Sequence, residues 1–305
     1  MSTLSPRKAL HNVYTIWLFT RSDLKTIVVP STFFAFVFAS CGPGVYVDRT
    51  PSAMSVVRHV PRTVFWVWIN LLPFAIENQR QPDSVVEDAE NKPWRPLPSK
   101  RLTARQAVRL MVAFYTLAVV VSLALGGIVQ CLALVILGYW YNDLSGANCS
   151  CITRNFINGC GYVCFLSGAL EVISGRSVFA MNPTACRWLA TIGLVVFTTV
   201  QAQDMPDQAG DSLRSRWTVP LVIGDAAARC TLALGVAVWS YACPAYWGIS
   251  ANGFIVTIPL GIIVVARFLL RRSMQADRLT FRLYNMWMVS LYLLPLVKTL
   301  DGLFV

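Results

Sequence analysis

Charge is what this chain has least of. Asp, Glu, Lys and Arg make up 13% of its 305 residues, against 55% hydrophobic residues and a mean hydropathy of +0.55. A soluble domain carries about twice that share of charge, so the composition excludes one and implies a membrane protein. Acid is the scarcer sign, with 15 Asp and Glu against 26 Lys and Arg for a formal charge of +11. Most of the basic excess lies between apolar runs, where the positive-inside bias puts it, and this argues against nucleic-acid binding. Histidine is nearly absent. With only His11 and His59 in the chain, the pairs Cys149/Cys151 and Cys160/Cys164 do not make a zinc site. Nine cysteines, an odd number scattered mostly through apolar runs, argue against a complete disulfide framework and read as packing residues. No signal peptide is expected either, because the apolar piece 13–20 is short and Arg21, Asp23 and Lys25 follow at once.

What the chain has in quantity is long apolar runs. A helix crossing the hydrocarbon core needs about 20 mostly apolar residues, and that ruler predicts about nine spans. They fall at 26–44, 57–76, 104–125, 128–141, 156–173, 187–203, 221–241, 253–270 and 281–297. No polar stretch long enough for a soluble domain is left over. The expected fold class is therefore all-α: one integral membrane bundle over 1–305, with cap loops near 78–103 and 204–220.

With the N-terminus in the cytosol, the inside segments are basic: the head (Arg7, Lys8, Arg21, Lys25), then Lys92, Arg95, Lys100 and Arg101, then Arg154, Arg214 and Arg216, and finally Arg271, Arg272, Arg278 and Arg282. The third and seventh connections, outside on this count, carry no Lys or Arg, although the first holds Arg49, Arg58 and Arg62. The lipid bilayer is thus an expected partner, and no obligate protein partner or nucleic acid is. A cytosol-facing site in the endoplasmic reticulum is the expected location.

The scarce acids are concentrated in two places, Asn78-Gln-Arg-Gln-Pro-Asp83-Ser-Val-Val-Glu87-Asp88 and Asp204-Met-Pro-Asp207-Gln-Ala-Gly-Asp211. Carboxylates this close repel one another unless a cation sits among them, and hard divalent ions are the usual remedy. At 100° per residue, Arg80, Ser84, Glu87, Asp88 and Asn91 share about a third of a helix circumference. Pro82 cannot donate to the carbonyl of Asn78, so a kink or restart is expected there. Asp204, Asp207 and Asp211 share a face if helical, with Pro206 and Gly210 favouring loop. Mg²⁺ takes one or two carboxylates plus phosphate oxygens, so two facing clusters are able to hold Mg²⁺ bridged by a diphosphate. Lys92, Arg95, Arg214 and Arg216 would neutralise the leaving group. Acids and bases at helix ends also serve as solvated interface residues or caps, but two acidic clusters on one side, each followed by bases, favour the site.

The run Asn91-Lys-Pro-Trp-Arg-Pro-Leu-Pro-Ser-Lys-Arg101 after Glu87-Asp88 resembles the segment following the first Asp-rich motif of the UbiA superfamily of membrane prenyltransferases. Asp204-Met-Pro-Asp207-Gln-Ala-Gly-Asp211-Ser-Leu-Arg-Ser-Arg216-Trp-Thr-Val-Pro220 resembles its second motif. Asn78-Gln79, Pro82, Trp17-Leu-Phe-Thr-Arg21-Ser-Asp23-Leu-Lys25 and Asn142-Asp143 through Arg154-Asn155 to Tyr162 resemble the fungal UbiA-type terpene cyclases in particular.

The resemblance implies a UbiA-like bundle that ionises a polyprenyl diphosphate with Mg²⁺. Asp83, Glu87, Asp88, Asn91, Asp204, Asp207 and Asp211 are its implied metal ligands, with Glu87, Asp88, Asp207 and Asp211 central to catalysis. Asn78, Lys92, Arg95, Arg214 and Arg216 would meet the diphosphate. The first motif departs from the superfamily pattern. Anchoring on Asn91-Lys-Pro puts Asp88, Ser84 and Arg80 at motif positions, whereas counting from Asn78 puts Gln79 and Pro82 at Asp positions.

Both a cyclase acting on farnesyl or geranylgeranyl diphosphate and a transferase acting on an aromatic or other small acceptor begin with this ionisation. A cyclase also needs a dry aromatic pocket to stabilise cations. Phe65, Trp66, Trp68, Tyr115, Tyr139, Trp140, Tyr141, Tyr162, Phe165, Phe197 and Trp287 are candidates by position, although packing and interfacial belts use the same residues. Asn142, Asp143, Asn155, Asn158 and Glu171 read equally as cavity groups or as wetted connections.

Overall fold

Helices form at the apolar runs, apart from residues 42–44 of the first, which lie outside the described residues. The computed structural model describes residues 6–41, 52–249 and 251–301, and no strand occurs among them. In chain order the helices begin with α1 (Pro6–Thr20), α2 (Val29–Ala39), α3 (Ala53–Arg80) and α4 (Pro82–Asn91). Next come α5 (Ala104–Leu125), α6 (Ile128–Asn142), α7 (Gly146–Cys149), α8 (Cys151–Ser174) and α9 (Pro183–Thr199). The series ends with α10 (Gln208–Leu213), α11 (Val219–Ile223), α12 (Asp225–Trp247), α13 (Ala251–Leu270), α14 (Met274–Tyr292) and α15 (Leu294–Asp301).

Among the described residues, five helices are long and apolar enough to cross a membrane: α5, α8, α9 with its 3₁₀ extension, α12 and most of α13. A sixth counts if α1 and α2, bent by 57° at their junction, form one span. That is fewer than the nine predicted. The shortfall has a physical reason: α6 has only 15 residues, and α3 and α14 carry polar groups such as Asn70, Glu77 and Arg80, or Asp277, Arg278 and Arg282.

The bends are set by local chemistry. Gly126 and Gly127 take φ of +99° and +78° between α5 and α6, and a Cβ on Gly127 would lie 2.7 Å from Trp66. Glu171 caps the helix that starts there, its Oε1 accepting from Gly127 N at 2.9 Å and its Oε2 from Gln130 at 3.3 Å. A carboxylate at a helix N-terminus satisfies free amides and opposes the dipole. Glu171 is thus a structural cap.

The main core gathers Phe34, Phe38, Trp66, Trp188, Phe268, Trp287 and Tyr292, all fully buried. Trp66 donates to Ser122 Oγ at 2.9 Å and Trp287 to Ser240 Oγ at 2.9 Å. These two candidates for the cation pocket are core residues, while Phe65 and Tyr139 are exposed at 42% and 53%. At the opposite end of α12 from its core tryptophan Trp247, Arg229 binds Asp277 through both guanidinium nitrogens at 2.8 and 2.7 Å. It also binds Asp225 at 2.8 Å and the carbonyls of Phe268 and Arg271. All three guanidinium nitrogens of this buried cation are engaged, and the bonds tie α12, α13 and α14 together.

Candidate active site

The two acidic segments meet because the backbone breaks where proline requires it. α3 stops at Arg80, Gln81 turns extended with ψ of 139°, and Pro82 starts α4 as its first residue, where its missing N–H costs nothing. α4 then buries Ser84, Glu87, Asp88 and Asn91, the face predicted from the helical angle. The second segment is part loop: a 3₁₀ turn over Val200–Gln203 leads through residues 204–207 into α10.

Asn91 fastens the two. Its Nδ2 donates to the Asp207 carbonyl at 3.0 Å and its Oδ1 accepts from Gly210 N at 3.2 Å. The approach is close enough that a Cβ on Gly210 would lie 2.3 Å from Asn91 Nδ2.

Beneath this junction is a cavity of about 470 Å³. Its head is lined by Glu87, Asp204, Asp207 and Asp211 together with Lys92, Arg95, Arg154 and Arg216. Its body is lined by Leu71, Phe74, Leu134, Leu137, Tyr141, Ile157, Tyr162 and Phe165. Three of the predicted aromatics, Tyr141, Tyr162 and Phe165, thus face it, and Phe74, Trp94 and Phe281 join them.

The charges at the head are paired. Lys92 Nζ is 2.5 Å from Asp207, Arg154 is 2.7 Å from Asp204, and Arg216 is 2.9 Å from Glu87 and 4.0 Å from Asp211. Asp211 is the least satisfied, because its Oδ2 is buried without a hydrogen-bond partner. Burial, followed by the negative charge of Asp204, pushes its carboxyl up to about 7. Burial also raises Asp204, against the pull of Arg154.

Three predicted site residues, Asp83, Asp88 and Arg214, lie off the cavity wall, while Asn91 lines it. Asp83 is exposed in the first turn of α4, one turn before Glu87, and lies outside the cavity. Asp88 is 1% exposed and also off the cavity wall; both its oxygens accept from Arg95 Nη1, at 2.7 and 2.9 Å, so it aims that guanidinium. Asn91 spends its amide on joining the motifs. Arg214 stands behind Glu87, at 3.2 Å, and does not line the cavity. Asn78 does line it, and its Nδ2 donates to Asn142 at 2.9 Å. Asn155 faces away, toward Phe197 and Gln201, whereas Asn158 lines the cavity.

The sequence reading assigned no site role to Arg21, Lys25, Arg154, Arg278 and Arg282, yet all five line the cavity. Arg154 carried a signal, since a cation inside an apolar helix is costly and needs a partner. Arg21 is held over the Trp94 ring at 4.7 Å and the Trp17 ring at 5.5 Å.

The donor set fits Mg²⁺ in part. The partnerless Asp211 oxygen and the crowding of Asp211 with Asp204 and Glu87 mark a deficit of positive charge. Among the described residues, no group of three His, Cys, Asp or Glu side chains is gathered closely enough to hold a metal alone. The missing oxygens would have to come from water and phosphate, which is how Mg²⁺ is commonly bound.

A charged head on an apolar cavity within a helical bundle is an arrangement that suits a long amphipathic ligand. The chain belongs to the UbiA prenyltransferase family, which matches residues 82–291. It is 30% identical over 289 residues to somaliensene A/B synthase of Streptomyces somaliensis, across 92% of this chain and 91% of that protein. It is 27% identical to the fumagillin beta-trans-bergamotene synthase of Aspergillus fumigatus, across 94% and 93%. The solved structure of a UbiA homologue from Archaeoglobus fulgidus bound to DMAPP and Mg²⁺ has the same fold, with a TM-score of 0.60 at 16% identity over 91% of this chain and 98% of that one.

Proposed function

We propose that this enzyme is a Mg²⁺-dependent terpene cyclase that ionises farnesyl or geranylgeranyl diphosphate and closes the resulting cation into a sesquiterpene or diterpene. One observation carries the reading: a cavity whose head gathers Glu87, Asp204, Asp207, Asp211, Lys92, Arg95, Arg154 and Arg216 and whose body is aromatic and aliphatic. The terpene synthases among its relatives support it. Asp207 and Asp211, with Glu87 and Asp204, would hold the metal, which when bound supplies positive charge to the departing diphosphate. Lys92, Arg95 and Arg216 stabilise the same negative charge, and Asp88 keeps Arg95 aimed at it. Arg21, Lys25 and Arg282 extend this basic head on its open side. The apolar body excludes water, and Phe74, Tyr141, Tyr162 and Phe165 offer ring faces to the cation.

The chain works as one bundle with the head facing the cytosol, in the endoplasmic reticulum, on the side where its basic segments lie. The test is to incubate membranes containing the protein with Mg²⁺ and each diphosphate, without acceptor, and to analyse extracts by gas chromatography and mass spectrometry. Cyclic hydrocarbon or terpene alcohol is the expected product. Product that forms only when an aromatic acceptor is supplied would overturn the cyclase reading in favour of prenyl transfer.

A further inference from the structure

Glu77, in the last turns of α3, is a carboxylate to which the diphosphate chemistry above gives no role. It is 4% exposed. Its Oε2 accepts from the Tyr115 hydroxyl at 2.7 Å and from Asn142 Nδ2 at 3.2 Å. Among the described residues no cation lies within salt-bridge distance of it. The nearby acid is different: Asp143 is paired with Arg80 at 2.5 Å and accepts from Gln81 at 3.4 Å. Burying a carboxylate without a cation is costly, and two hydrogen bonds repay only part of that cost.

The position of Glu77 supplies a reason. A Cβ on Gly138 would lie 2.9 Å from Glu77 Oε2 and 3.1 Å from the Tyr115 oxygen, and Gly138 lines the cavity. Gly138 therefore touches this carboxylate on one hand and lines the apolar body on the other, with Phe74 and Leu137 beside it. The same network reaches the cavity through Asn78, whose Nδ2 is bound by Asn142. An ionised carboxylate behind this glycine acts at short range on positive charge inside; burial and the adjoining Asp143 push the Glu77 carboxyl up to about 7, and the hydrogen bonds from Tyr115 and Asn142 favour its ionised form.

We propose that Glu77, oriented by Tyr115 and Asn142, is the built-in counter-charge for the carbocation in the cavity body. It acts through the gap at Gly138 without touching substrate, so it is an electrostatic positioning residue. The inference rests on the cyclase reading above.

The test uses the purified full chain in lipid with Mg²⁺ and whichever diphosphate the wild type consumes, measuring diphosphate release and product composition. E77Q keeps the shape and removes the charge. It should lower kcat about tenfold or more and leave KM within about twofold, because the diphosphate contacts are untouched. Its products should shift toward acyclic alcohols as the cation is quenched early. Y115F and N142L each remove one donor to the ionised carboxylate, so both should shift products in the same direction as E77Q, by a smaller amount. An E77Q enzyme with wild-type kcat and products would overturn the proposal. A raised KM with unchanged products would assign Glu77 to diphosphate binding instead. If E77Q does not accumulate, the donor variants decide: wild-type kcat and product composition in both would overturn the proposal. A wild type that releases diphosphate and cyclises while E77Q matches it defeats this inference alone. A wild type that does neither defeats the cyclase reading, and this inference with it.

Discussion

Replacing Gly210 by alanine should destabilise the protein, against the usual sign of that substitution in a helix. Gly210 lies inside α10, where helix propensity alone favours alanine by about 1 kcal/mol. The added Cβ, however, would stand 2.3 Å from Asn91 Nδ2, 2.5 Å from its Cγ and 2.8 Å from its Oδ1. The Asn91 amide must leave, and with it go the bonds to Asp207 O and Gly210 N. Two such bonds contribute about 1 kcal/mol each, and forcing a methyl into a filled site costs about 1–3 kcal/mol. After subtracting the propensity gain, the net loss is about 2–4 kcal/mol. The motifs would also separate, and a misplacement of about 1 Å is enough to slow a reaction about 100-fold. Thermal unfolding in detergent and diphosphate release measure the two effects. The decisive control is N91A/G210A: once the amide is gone, adding the methyl should be neutral or slightly stabilising, a coupling of about 3 kcal/mol. A G210A protein as stable as wild type, or a G210A penalty that persists unchanged in the N91A background, would refute the argument.

Three further outcomes are expected. D83A should keep diphosphate release within about twofold of wild type, while D207A and D211A lose about 100-fold or more; the reverse pattern would move the metal site to α4. R229M should cost about 3–5 kcal/mol in unfolding experiments, because Asp277 is left buried without its cation, and R229M/D277L should recover most of the loss; equal stability of R229M and wild type would show that the tie contributes nothing. In metal-free protein, folded Asp211 holds its proton to about 7 whereas the unfolded carboxyl releases it near 3.8. Stability should therefore fall as pH rises between those values and level off above them, and D211N should remove that slope; an unchanged slope in D211N would assign it to other groups.

The reach of the sequence differed between the two acidic clusters. In the second, Asp204, Asp207 and Asp211 face inward as their spacing suggests, because a short turn followed by a helix keeps them on one side. In the first, the helical angle named the buried face of α4 correctly, and Pro82 marked its start. What it did not give was which buried group reaches the cavity. Glu87 and Asp88 are neighbours and equally hidden, yet Glu87 lines the cavity while Asp88 turns to Arg95. Glu77 was overlooked altogether, since a lone acid at the end of an apolar run looks like a helix terminus meeting water until Tyr115 and Gly138 are seen beside it.

Composition and apolar period, by themselves, determined a helical membrane bundle, the side of it that is charged, and the two segments that carry acid. These are properties of each helix and its immediate flanks, and they need no knowledge of neighbours. Partnership was decided only by the tertiary structure. Asn91 became a fastener, Arg154 a partner for Asp204, and Trp66 and Trp287 core residues, because helices far apart in the chain pack side by side. A polar side chain is costly to bury in a membrane bundle wherever it occurs. Whether that cost is offset by a neighbouring helix or by a ligand depends on which helix stands next to it, and that is set by packing over the whole chain.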